Sequence, residues 1–160
     1  MVEAGQSAPE FEATDQEQRT VRLADFRGRP LVLYFYPRAS TPGCTVEARG
    51  FRDLYAELQR RGAAVVGVSP DTVRAQKKFC DHERLPFPLL ADHDRELARR
   101  YGVLQEKSLY GRLFLGVART TFLIGPDGVV RRVFAKVKVK EHARQVLDAL
   151  ATLGGGPEVP

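Results

Sequence analysis

Cysteine is scarce in this sequence, with two in 160 residues, and the two do not form a C-x-x-C, so the motif of a dithiol–disulfide reductase is absent. No window approaches the ~18 consecutive apolar residues of a membrane-spanning helix, and no membrane association is expected. The N-terminal MVEAGQSAPEF lacks a basic patch followed by an apolar core, so it does not read as a signal peptide. Together these absences make a reducing, cytoplasmic compartment the expectation, where a disulfide is more often catalytic than structural. No glycine-rich loop follows a strand to cradle a phosphate, and nothing marks a site for flavin, nicotinamide or haem, so no cofactor is expected. His82, His93 and His142 are scattered. Cys80-x-His82 faintly resembles a metal pair, but no second pair at zinc-like spacing accompanies it. No metal is expected.

Acidic residues are outnumbered, 20 against 25 Lys and Arg, for a net charge of +5. The basic residues sit in short pairs among acids and no recognition motif accompanies them. That reads as a solvated surface rather than a nucleic-acid site. The densest cluster, KVKVK at Lys136 to Lys140, alternates as a strand would, with its lysines on one face.

The length suits one domain with a core of its own. It is expected over 1–153, with GGGPEVP (154–160) as a flexible tail. LVLYFYP, 31–37, is short, almost continuously apolar and rich in aromatic and branched residues, the pattern of a strand buried on both faces. From Cys44 to Arg61 the period becomes helical, with Ala48, Phe51, Tyr55 and Leu58 on one side and Gly62 as a stop. AAVVGVSP is a second buried strand, and Ser69-Pro70-Asp71 opens a helix to about Arg84 with a capping side chain, a proline and an acid. FPLLAD is a short strand, DHDRELARRYG a short helix, and TTFLIGPDGVVRRVFA a hairpin around Pro126-Asp127-Gly128. A last helix runs from about Lys140 to Leu153. Strand–helix–strand implies a parallel pair and the hairpin adds antiparallel strands. The sum is an α/β protein with a mixed central sheet flanked by helices, a thioredoxin-like architecture.

In such a sheet, ligands bind in loops leaving the carboxyl ends of central strands. Cys44 lies in one of them, in STPGC, where loop hands over to helix. Unpaired backbone N–H groups and the helix dipole stabilise an anion there. A thiolate is an anion and the nucleophile, so position alone predicts a reactive thiol. Thr41 can turn its hydroxyl toward the sulfur, Pro42 stiffens the loop, and Gly43 lets backbone approach a ligand.

The stretch FYPRASTPGCTVEARGFRD resembles the peroxiredoxins, and within them the bacterioferritin-comigratory or Q-type branch, whose members look like F-Y-P-x-x-x-T-P-G-C-T-x-E here. GQSAPEFEATDQ, VVGVSPD, FPLLAD, YGV and ARTTFLIGPDG sit where that family has similar segments, so the resemblance covers nearly the whole chain. It implies a thiol peroxidase acting on hydrogen peroxide and organic hydroperoxides, with Cys44 as the peroxidatic cysteine that becomes a sulfenic acid. By the same resemblance Thr41 bonds the peroxide, Arg119 keeps the thiolate charged and stabilises oxygen as the O–O bond breaks, and Glu47 orients Arg119. Pro37 matches another active-site position, and the backbone N–H groups of Gly43 and Cys44 complete the cradle. Composition alone would not single out Arg119 among so many arginines.

Many Q-type members carry a resolving cysteine five positions beyond the peroxidatic one, where this chain has Arg49. Another subset carries it in a KFC context on the next helix, as at Cys80 here. The resemblance therefore implies Cys80 as the resolving residue, a Cys44–Cys80 disulfide, and reduction by thioredoxin or a similar dithiol. Val73 and Cys80 share a helix face, which also suits a packing role. The competing readings are a one-cysteine peroxidase recycled by an external thiol and a non-enzymatic redox sensor or relay. By resemblance the protein is expected to be a monomer.

Overall fold

The structure, a computed structural model, describes residues 1–153, and the expected flexible tail at 154–160 lies outside the described residues. Its frame is set by the two apolar runs. Strand β3 (Leu31–Phe35) and strand β4 (Ala64–Ser69) are buried at every residue. Having no polar side to show to water, such runs fit only where both faces of a sheet are covered. They pair in parallel, from Leu31 opposite Ala64 to Phe35 opposite Val68. Beyond β4, β5 (Leu89–Ala91) adds a third parallel strand. On the other side β8 (Thr120–Ile124) runs antiparallel to β3, and β9 (Val130–Phe134) returns beside it. Gly128 takes φ 83° in the turn between them, as a tight reversal requires. With β1 (Glu12–Asp15) and β2 (Thr20–Arg22) at the far edge, the order is β2-β1-β5-β4-β3-β8-β9. This is the mixed sheet that the sequence pattern implied.

Among the described residues, five α-helices cover it. β3 leads into α1 (Pro42–Asp53) and α2 (Tyr55–Arg60), where the sequence suggested one helix from Cys44 to Arg61. The chain bends at Leu54, with φ −100° and ψ 9°, yet bonds from Leu54 N to Gly50 O and from Leu58 N to Leu54 O span the bend. No proline or glycine stands at Leu54, and it forms a turn between the two helices. After β4 comes α3 (Val73–Glu83), capped by Thr72, whose Oγ1 accepts from Ala75 N at 3.1 Å. The expected cap Ser69 instead ends the strand, and its hydroxyl donates to Asp71 Oδ2 at 2.5 Å. α4 (Glu96–Tyr101) and α5 (His142–Thr152) complete the set, α5 starting two residues later than expected.

Side chains alternate along β3, so it feeds two cores. Val32, Tyr34 and Tyr36 pack with Phe51, Phe79, Phe87 and Val146 beneath α1, α3 and α5. Leu31, Leu33 and Phe35 pack with Leu97, Tyr101 and Phe122 on the opposite face. Cys44 and Cys80 both belong to the first core.

Two further parts of the chain differ from the sequence reading. KVKVK is not a strand: Lys136 has a left-handed backbone, φ 53°, which breaks the extended run, and a turn leads into α5. Residues 104–117, to which no element was assigned, form a separate hairpin of β6 (Leu104–Leu109) and β7 (Arg112–Val117). Its two-residue turn, Tyr110-Gly111, has φ of 52° and 77°, the positive pair that a I′ turn requires. Much of the hairpin is exposed, so its apolar residues lack the inward alternation that reveals a strand. Among the described residues no helix is long and apolar enough to cross a membrane.

The packing of β4 gives a stability test. A Cβ on Gly67 would lie 2.9 Å from Leu89 Cδ2 and 3.0 Å from Tyr34 Cζ, both in the first core. Gly67→Ala should therefore cost about 1–3 kcal/mol by overpacking. The expected result is a lower midpoint in urea at unchanged slope, and an unchanged midpoint would show that Tyr34 and Leu89 move aside freely.

Candidate active site

The loop that carries Cys44 is shaped before the helix begins. Tyr36 extends the parallel ladder by donating N–H to Val68 O at 2.9 Å, and its hydroxyl donates to Gln76 Oε1 at 2.6 Å. Half-buried Pro37 then ends the strand, since it has no N–H to continue the pairing. Asp71, just past β4, accepts from Ala39 N at 2.7 Å and so pins the loop to the neighbouring strand end. Ser40 adopts φ 65° and Thr41 is the N-cap of α1, with Pro42 as the first helical residue. The Thr41 hydroxyl does not turn to the sulfur: it donates to Arg38 O at 2.8 Å, which leaves its oxygen free to accept from a ligand. The first bond of the helix runs from Thr45 N to Thr41 O at 2.9 Å. The amides of Gly43 and Cys44 come before it and have no partner within the helix.

Cys44 is 1% exposed, within the first turn of α1. Across from it stands Arg119, immediately before β8. Its Nη1 donates to Glu47 Oε1 at 2.7 Å and reaches Cys44 Sγ at 3.5 Å. Gly43 makes this approach possible, because a Cβ there would come within 3.1 Å of Arg119 Nη2. Cys44, Gly43, Glu47 and Arg119 are thus brought together as the resemblance implied, with Thr41 and Pro37 on the adjoining loop. Burial opposes the charge on Arg119, but Glu47 and the Cys44 sulfur more than offset it and hold the guanidinium above its usual pKa. Burial pushes Glu47 up to about 7, with Arg119 pulling the other way. Chemically this is a nucleophile at a helix start facing a fixed cation, the arrangement that stabilises a thiolate and charge on an attacked oxygen.

Cys80 sits elsewhere. Its thiol, in the last turn of α3, donates to Leu85 O at 3.2 Å and accepts from Gln16 Nε2 at 3.3 Å. Burial raises its pKa, with the Gln16 bond opposing. It shares no hydrogen-bond partner with Cys44, and both cysteines are free thiols. Cys80 also borders a surface cleft with Gln16, Arg84 and Phe87. Its neighbour His82 is 79% exposed in its side chain and turns to Glu83 instead, Nδ1 to Oε2 at 2.9 Å. Among the described residues no three metal-ligating side chains cluster.

Several contacts of this neighbourhood were not foreseen from the sequence. Arg49 donates from Nε to Glu83 Oε1 at 2.6 Å and from Nη2 to Glu83 Oε2 at 3.3 Å, and Arg52 Nη1 donates to Glu83 O at 2.8 Å. These contacts clamp the middle of α1 to the end of α3. His142 is fully buried behind Glu47. Asp71, Gln16, Glu83 and His142 reach their partners only through the fold, and no local motif marks those contacts.

Comparison with known proteins agrees with this geometry. A family model described as the AhpC/TSA family matches residues 4–133. The putative peroxiredoxin bcp of Coxiella burnetii is 43% identical over 149 residues, 93% of this chain and 99% of that one. Peroxiredoxin Bcp of Bacillus subtilis is 41% identical over 149 residues, covering 93% and 95% of the two chains. A cysteine-to-serine mutant of peroxiredoxin Q from Xanthomonas campestris superposes with a TM-score of 0.89 at 38% identity, over 95% of this chain and 99% of that one. The bacterioferritin comigratory protein of the same organism, solved in trapped intermediate and ligand complexes to study its alkyl peroxide reduction, superposes at 0.86 with 39% identity over 89% and 91%. The chain belongs to the AhpC/TSA family and, within it, to the Bcp or Q-type peroxiredoxins, a family of peroxidases.

Proposed function

We propose that the protein reduces hydroperoxides through Cys44 and resolves the product with Cys80. The observation that carries this reading is the single Arg119 nitrogen in reach of both the Cys44 sulfur and Glu47. The Cys44 thiolate attacks the terminal oxygen of the peroxide. An S–O bond forms, the O–O bond breaks, and the leaving alkoxide or hydroxide takes a proton to become an alcohol or water. Arg119 and the free amides of Gly43 and Cys44 face the charge that moves onto oxygen. The Thr41 oxygen, its own proton committed to Arg38 O, accepts from the peroxide O–H. The Cys80 thiol then displaces hydroxide from the Cys44 sulfenic acid, releasing water and leaving a Cys44–Cys80 disulfide. A thioredoxin-type dithiol returns both thiols and is itself oxidised. By family resemblance the protein works as a cytoplasmic monomer built as one domain, and alkyl hydroperoxides are among its substrates.

Resolution requires motion. The two thiols have separate partners, and a disulfide needs Cβ atoms about 3.5–4.5 Å apart. The Arg49 and Arg52 grip on Glu83 holds the middle of α1 to α3, so the first turn around Cys44 or the end of α3 must unwind against it. In the chain-entropy model, closing a loop of this length restrains the unfolded chain by about 4 kcal/mol. Distortion of the helices offsets part of this, which keeps the disulfide reducible.

One equivalent of peroxide should consume both thiols and yield an intramolecular Cys44–Cys80 disulfide in non-reducing mass spectrometry, whereas a stable sulfenic acid or a linked dimer would overturn the resolving role. Cys80→Ser should keep one round of peroxide consumption and lose thioredoxin-coupled turnover, and full turnover in that variant would make the enzyme one-cysteine. Glu83→Gln weakens the clamp by roughly one charge-assisted hydrogen bond. It should speed disulfide formation about two- to fivefold in quenched-flow experiments, and an unchanged rate would confine the unwinding to residues ahead of Arg49.

A further inference from the structure

One fully buried side chain beside the site has no part in the chemistry above. His142 opens α5 and is 0% exposed. Its position follows from close packing of α5 on α1: a Cβ built on Gly50 would lie 3.3 Å from the Cβ of Ala143. Phe51 and Phe134 meet the imidazole edge-on, with centroids 5.6 Å and 5.4 Å away, and fix the plane of the ring. Its Nε2 lies 2.7 Å from Thr121 Oγ1 and 3.9 Å from Glu47 Oε2. Glu47 Oε1 holds Arg119, but Oε2 is buried without any hydrogen-bond partner.

A carboxylate oxygen left bare in a core is costly, so the sign of whatever faces it matters. Were Thr121 to donate to an unprotonated Nε2, a lone pair would face Oε2 and a proton on Nδ1 would be stranded. With the proton on Nε2, the N–H points to Thr121 Oγ1 and turns its positive end toward Oε2. Nδ1 is buried without a partner in either arrangement, so the sign that faces Oε2 decides between them. The geometry therefore points to the Nε2–H tautomer of a neutral ring. Burial also keeps the ring neutral, holding its pKa down to about 4, with Arg119 acting in the same direction and Gln145 opposing.

We propose that His142 is a positioning residue for the peroxidase step. Its Nε2–H, donated to Thr121 and pinned between Phe51 and Phe134, keeps a positive edge 3.9 Å from Glu47 Oε2 and so favours the carboxylate orientation that fixes Arg119 against Cys44. Thr121 lies in β8 and Arg119 immediately precedes that strand, so the groups that aim the ring and the guanidinium are two residues apart. This rests on the reading of Cys44 and Arg119 given above.

The test compares two reactions of Cys44 in single-turnover experiments. Peroxide needs an aligned Arg119, while alkylation by iodoacetamide needs only an accessible thiolate. Wild type should strongly prefer peroxide, and a wild type without that preference would overturn the peroxidatic reading itself. His142→Phe keeps the ring packing and removes the N–H. It should lower the peroxide-to-iodoacetamide rate ratio about fivefold, the scale of one lost polar contact of about 1 kcal/mol. His142→Gln, whose amide nitrogen sits as many bonds from the backbone as Nε2, should keep the ratio within about threefold. An unchanged ratio in His142→Phe, or an equal fall in His142→Gln, would overturn the proposal. If His142→Phe fails to fold, Thr121→Val decides. It removes the group that aims the ring and should lower the ratio about threefold, and an unchanged ratio there would overturn the proposal as well.

Discussion

A single guanidinium nitrogen, Arg119 Nη1, has to serve a sulfur and a buried carboxylate at once, and most of the surrounding structure follows from that requirement. Glu47 has no exposure in its side chain, and Arg119 keeps only 21% of its own. Two charges held so far from water are tolerated only in good geometry, because the loss of hydration is large and each remaining lone pair needs a donor. That explains a glycine at 43, where a side chain would push Arg119 away. It also explains why Arg119 comes from the residue just before a fully buried strand: β8 pairs with β3 from Phe35–Thr120 onward, so the arginine's backbone is set against the very strand that launches Cys44.

The same helix start is held and must also be released. Asp71 fixes Ala39 ahead of the helix, and Arg49 and Arg52 fix its middle to Glu83. Between these anchors lie the first turns of α1, whose leading amides have no helical partner and whose first residue is a proline. The turn that gives the sulfur its electrostatic advantage is thus also the segment with the fewest internal bonds to break. Arg49 takes the place where other members of the family carry a nearby resolving cysteine. In this chain the position ties α1 to the helix that carries Cys80 through the Arg49–Glu83 ion pair.

How legible this was in the sequence depended on the range of each interaction. The buried strands at 31–35 and 64–69 were plain, because an unbroken apolar run leaves a strand few other places to go. Cys44 was plain because loop, proline, glycine and helix period are all local. Arg119 was visible only through resemblance, being 75 residues away from the sulfur it touches. His142 carried no local signal, and the local signal at Asp71 was that of a helix start, not of an anchor for Ala39. Local signals also misled: Ser69-Pro70-Asp71 has cap-like chemistry, but Ser69 completes the β4 ladder to β5, opposite Ala91, and the cap passes to Thr72. KVKVK alternates, but a left-handed Lys136 prevents it from extending. The exposed hairpin at 104–117 lacked the one-sided burial that makes a strand readable.

The buried pair behind Arg119 has a further consequence for pH. Burial raises Glu47 from 4.5 to about 7, so the folded state binds a proton there more readily than the unfolded chain does, and its contribution to stability falls as pH rises from 4.5 toward 7. Burial lowers His142 from 6.5 to about 4, so its contribution runs the other way and rises over 4 to 6.5. Across the shared window the two slopes oppose each other. Either group buried alone would tilt stability steeply through the weakly acidic range. Side by side they oppose each other, and as pH falls below about 7 the folded Glu47 takes up a proton and its hold on Arg119 weakens.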